Sequence, residues 1–193
     1  MHALPPAPTP APRRQLFVGT SLACAAGLLL YGTMIAMFVR FRKTTLAVPD
    51  SVWKPAKSVV PEVATNIMLI SFLAIYVFVQ WAVYAARRDH KSYVGLSIGL
   101  TVVVAIAVIN AQAFTWFQMN LGVRDGTYQT LFYAVTGTFL VLMIIGVVFS
   151  LVTVFRYLGG RTKDREIVTA HAIYWYFVGA AYVALWFAVY VTK

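Results

Sequence analysis

Apolar positions along the chain fall into five long runs separated by short polar segments. The runs extend from Leu16 to Val39, Val63 to Ala86, Tyr93 to Leu121, Thr127 to Phe155 and Ala172 to Thr192, and none contains an Asp, Glu, Lys, Arg or His. A helix needs roughly 20 mainly apolar residues to cross the hydrocarbon layer, and each run reaches that length. Inside a bilayer a chain must satisfy its own backbone hydrogen bonds, which leaves the helix as the form for segments of this kind. The pattern predicts an all-α fold, a polytopic membrane protein built as a bundle of five transmembrane helices. One membrane domain over residues 15–193 accounts for nearly the whole sequence.

The segments between the runs agree with this division. Residues 1–14 open with MHALPPAPTPAP, a Pro/Ala-rich stretch with no apolar core of its own to pack, and read as a flexible tail. A basic start leading straight into an apolar run, the mark of a secretory signal, is not found there. Pro49, Pro55 and Pro61 all lie between the first two runs and no proline interrupts a run. The broken helices of many transporters are therefore not indicated.

Composition adds one question and answers it. The chain has 193 residues, 61% hydrophobic and 11% charged, with a formal net charge of +10. In a soluble protein that charge would suggest nucleic acid. Here the basic residues flank the apolar runs, where anionic lipid headgroups account for them, so no nucleic-acid partner is expected. Arg13, Arg14, Arg87, Arg88, Lys91 and Arg156 fall on the side of the first run's start; Arg40, Arg42, Lys43, Lys54 and Arg124 fall on the other. Counted over all loops, the first side carries slightly more, which predicts a cytoplasmic N terminus by the positive-inside rule.

The residues inside the runs limit the chemistry. Ion and proton pathways place ionisable groups within the membrane, and these runs hold none. Cys24 is the single cysteine and reads as a small apolar packing residue. His2, His90 and His171 are scattered, without ligand spacing, so neither a metal nor a haem is expected in this chain. Catalytic, cofactor-binding and metal-ligating residues are accordingly predicted to be none. The candidate contacts are of another kind. Gly19, Ala23 and Gly27 in the first run, and Gly95 and Gly99 in the third, stand at four-residue spacing, which lets membrane helices approach closely. Tyr182, Trp186 and Tyr190 recur every four residues in the last run and predict an aromatic stripe. Each set is open to two readings, contact within the bundle or contact with a lipid or partner subunit. Asn110, Gln112, Thr115 and Gln118 make the third run the most polar; with Asn66 and Gln80 they are expected to bond between helices.

Local strings carry a resemblance. AIYWYFVGAAYVALWFAVYV, from Ala172 to Val191, is similar to the final helix of subunit III of haem–copper oxidases, which typically reads Tyr-Tyr-Trp-His-Phe-Val-Asp before an apolar, aromatic run. YQTLFYAVTG, from Tyr128 to Gly137, resembles the opening of the family's preceding helix. NAQAFTWFQM, from Asn110 to Met119, resembles the Gly-Gln-Ala-Tyr-Glu-Tyr region of the helix before that. The three strings keep the family's order and spacing, and five runs fit its short bacterial form. The family's polar residues are missing, however. Its two histidines after Thr-Gly fall within Thr138–Leu142, its final-helix His falls on Tyr176 and its Asp on Gly179. The Glu of the third string falls on Thr115, and a buried Glu of the first helix falls near Ser21.

The resemblance implies a non-catalytic, subunit III-like component of a respiratory terminal oxidase of the cytochrome c oxidase type, serving aerobic electron transport. Such a component stabilises the haem–copper catalytic subunit I beside other oxidase subunits and holds phospholipid. Haem and copper then belong to the partner catalytic subunit, and the chain is an integral protein of the bacterial plasma membrane. Two alternatives stay open: an accessory subunit of a nitric oxide reductase-type complex, and a small transporter or channel for a neutral solute.

Overall fold

Each apolar run forms one helix in a computed structural model that describes residues 14–55, 58–160 and 165–192. The helices are α1 (Gln15–Leu46), α2 (Glu62–Arg87), α3 (Lys91–Met119), α4 (Thr127–Leu158) and α5 (Arg165–Leu185), the last continuing as a π-helical turn over Trp186–Val191. All five are long and apolar enough to cross a membrane. The described residues contain no strand, and the expected tail lies, Arg14 apart, outside them.

The helices outrun the charge-free stretches. Helix α1 continues through Arg40, Arg42 and Lys43, and α5 opens at Arg165 rather than at Ala172. Long basic side chains reach headgroups or water while the backbone stays helical, so charge marks the membrane surface and not the end of the helix. Lys43, Arg87 and Arg156 occupy the last turns of α1, α2 and α4, where the helix dipole favours a cation. Helix α3 stops at Asn120, whose left-handed conformation (φ 44°) closes the last turn.

Helices α2, α3, α4 and α5 pack in a ring, each against the next, and α1 lies across α4 and α5. Rings of three helices meet in the centre: Tyr182 of α5 is 5.3 Å from Phe72 of α2 and 4.9 Å from Phe139 of α4, centroid to centroid. Contacts at both ends hold α1. At one end Trp53, in the α1–α2 connection, stands edge-on to Phe38 at 5.4 Å and to Tyr128 of α4 at 5.5 Å. At the other, the Phe17 backbone N–H in the first turn of α1 donates to Glu166 Oε1 of α5 at 2.8 Å. A helix begins with N–H groups that have no partner in their own turn, and Glu166 supplies one from another helix.

Candidate functional site

The small residues singled out from the sequence divide into two groups. A Cβ at Gly27 would meet Phe177 of α5 at 2.7 Å, and one at Gly95 would meet Leu158 of α4 at 3.4 Å. Both glycines thus serve close packing inside the bundle. At Gly19 and Gly99 a Cβ would find nothing within 4 Å. These two, with the exposed Ala23, leave notches on the outer surface.

The aromatic stripe turns largely inward. Tyr182 is fully buried and its hydroxyl donates to the Thr65 carbonyl of α2 at 2.9 Å. Trp186 is half-buried and its N–H reaches Asn66 Oδ1 at 2.9 Å. Tyr190 is buried again and donates to Gln112 Oε1 of α3 at 3.3 Å. Tyr190 stands in the π-helical turn, in which the Thr192 N–H bonds back to the Phe187 carbonyl at 3.1 Å.

Positions where the resemblance expects charge are filled by rings and by hydroxyls bonded to their own helix. Tyr176 donates to Gln80 Oε1 at 2.8 Å, and a Cβ at Gly179 would overlap the Tyr76 hydroxyl, which already occupies that space. Thr115 bonds to the Ala111 carbonyl at 2.9 Å, Ser21 to that of Phe17 at 2.8 Å and Thr138 to that of Ala134 at 2.8 Å. Phe139 is a core ring. Among the described residues, the interior holds no carboxylate and one imidazole, and no group of three His, Cys, Asp or Glu stands together.

That imidazole, His171, was not legible in the sequence as an interior residue. It is fully buried, with Nε2 at 2.8 Å from Ser150 Oγ of α4 and 3.0 Å from Trp175 Nε1. The indole N–H can only donate, so Nε2 accepts and the ring proton sits on Nδ1, which has no partner. Gly146 admits this cluster: a Cβ there would stand 3.0 Å from the Trp175 ring. The available signal was two four-residue pairs, Gly146 with Ser150 and His171 with Trp175, each lying along one helix face.

Two recesses open near the membrane surfaces. One of about 300 Å³ is lined by Arg14, Phe17, Arg87, Arg165, Glu166 and Thr169, with Arg165 also bound to Asp89 at 2.7 Å. The other, of about 360 Å³ at the opposite end, is lined by Glu62, Thr65, Asn66, Trp186, Tyr190 and Val191. Neither presents the paired acid and base, or nucleophile and base, that covalent chemistry requires.

The sequence model for cytochrome c oxidase subunit III matches residues 13–193. The chain belongs to that family. It is 26% identical to a probable cytochrome c oxidase subunit 3 of Rickettsia bellii, an alignment covering 93% of this chain and 69% of the relative. Its match to the corresponding protein of Rickettsia felis is 25% identical, with the same coverage. A cytochrome c oxidase subunit 3 of Spodoptera frugiperda is 26% identical, over 72% of this chain and 97% of the relative. The protein is thus a subunit III-like component of a terminal oxidase, integral to the membrane. Within the subunit III family it is a member whose scaffold is kept while rings such as Tyr76, Phe139 and Tyr182 fill its interior.

Proposed function

We propose that this chain is a non-catalytic subunit packed beside the haem–copper catalytic subunit I of a cytochrome c oxidase-type complex, which it stabilises. Haem and copper reside in that partner. The observation that supports this most is the family match over residues 13–193. A second support is the state of the interior, whose one described imidazole is engaged by Ser150 and Trp175 and is closed off from solvent.

The chain also holds phospholipid in this reading. Arg14, Arg87 and Arg165 around one recess suit an anionic headgroup, since Glu166 in the same recess is engaged by the start of α1. The complex sits in a bacterial plasma membrane, with this recess and the N terminus on the cytoplasmic side.

A mild-detergent pull-down of the tagged chain from its native membranes tests the reading, with visible spectroscopy and mass spectrometry as readouts. An oxidase catalytic subunit with its haem bands is the expected result. A nitric oxide reductase catalytic subunit would move the chain to that complex, and a preparation without haem or partner would overturn the subunit reading altogether.

A further inference from the structure

Helix α3 packs between α2 and α4. On its opposite side Leu96, Gly99, Val103, Ile106, Asn110 and Phe114 follow one another at helical spacing, and all are exposed. One of them does not suit a lipid-facing surface. Three other carboxamides of the spans are engaged: Asn66 accepts from Trp186 at 2.9 Å, Gln80 from Tyr176 at 2.8 Å and Gln112 from Tyr190 at 3.3 Å. Asn110 has no hydrogen bond to any described residue.

Its depth gives that fact weight. Helix α3 has 29 residues, so it is about 43 Å long at 1.5 Å per residue, with its midpoint near Ala105. Asn110 then stands about 8 Å from the midpoint, inside a hydrocarbon layer that extends roughly 15 Å to either side. Neither water nor a headgroup reaches that level, and an acyl chain offers no hydrogen-bonding group. An exposed carboxamide with no partner there calls for a donor or acceptor from another polypeptide.

We infer that the outer face of α3, centred on Asn110, docks a transmembrane helix of a partner subunit, which presents a hydroxyl or carboxamide opposite Asn110. The inference rests on the subunit reading above and names the face that subunit uses. Gly99 lies eleven residues earlier, three turns along the same stripe. The open space over Gly99 lets the partner helix come close while the amide fixes its register.

A photo-crosslinking phenylalanine analogue placed at Ile106 or Phe114, with Leu29 of α1 as an exposed control, tests this in native membranes. The α3 positions are expected to yield a covalent adduct with a different polypeptide of the haem-containing complex, and Leu29 to yield none. In parallel, Asn110→Leu should lower the haem recovered with the tagged chain about three- to tenfold. Asn110→Gln should keep most of it, and unfolding of the isolated chain should be unchanged in both. Lipid-only adducts at α3 in a complex that retains its haem, adducts to a second copy, a partner adduct at Leu29 alone, or full haem recovery with Asn110→Leu would each overturn the inference alone. Absence of haem from the unsubstituted preparation would overturn the subunit reading with it.

Discussion

Helices α1 and α5 are both apolar and both span the membrane, yet across an apolar 18-residue window of each, 56% of the α5 residues are buried inside the bundle against 17% of the α1 residues. The difference does not follow hydrophobicity. Helix α1 is rich in leucine, with Leu22, Leu28, Leu29 and Leu30 all exposed. Helix α5 carries His171, Trp175, Tyr182 and Tyr190 into the interior, and the hydrogen bonds of Trp175, Tyr182 and Tyr190 end on α4, α2 and α3. In lipid, apolar surface gains nothing by leaving the solvent, so burial follows polar tips and close-packing small residues. Inside and outside are both largely apolar, and the polar tips lie on the inside.

Substitutions at the α5 centre should break this contrast most. Tyr182→Ala removes a ring shared by α2, α4 and α5 and should cost about 3–5 kcal/mol, read as thermal unfolding in detergent. A smaller loss would mean that the ring stack is not what joins the three helices. Next come the glycines on the α5 faces. Gly179→Ala drives a methyl into the Tyr76 hydroxyl and should cost about 1–3 kcal/mol, as should Gly27→Leu against Phe177. Adding Tyr76→Leu to Gly179→Ala should recover part of that loss, and strict additivity would argue against the contact. His171→Leu removes one of the two acceptors of the Trp175 N–H, with Ser150 Oγ at 3.1 Å remaining, and should cost about 0.5–1.5 kcal/mol; a neutral or stabilising result would show that the cluster adds no stability. The smallest effects belong to the outer surface. Leu29→Ala and Gly99→Leu should change the stability of the isolated chain by less than about 0.5 kcal/mol. Gly99→Leu should nonetheless reduce retention in the complex, whereas a loss of fold would place Gly99 inside the bundle.

Much of the fold was legible because a bilayer imposes one length and one composition on every crossing segment. Less of the candidate site was. Gly27 and Gly99 have the same local signature, small residues at four-residue spacing, and sequence alone gave no ground for separating the glycine against Phe177 from the one facing outward. Tyr182 and Tyr190 belong to one four-residue stripe, yet their hydroxyls end on α2 and α3, and the π-turn that holds Tyr190 is a backbone choice that no residue between Trp186 and Val191 announces. His171 lay at the edge of an apolar run; only the extension of α5 back to Arg165 carries it into the interior. Asn110 and Gln112 are two residues apart on one helix, so one faces Tyr190 and the other faces away. Periodicity could set that difference, but only the packing of α3 says which direction is outward.

The carboxylate of Glu166 that completes the first turn of α1 is supplied from a residue 149 positions later. At a synthesis rate of 5–20 residues per second, roughly 8–30 s separate the emergence of those two groups from the ribosome. During that interval the leading helix sits in the membrane with its opening turn unfinished, and arrival of the last helix is what seals it. Chains that stall or lose that last helix are left with a frayed leading end, a local mark by which unfinished copies differ from finished ones.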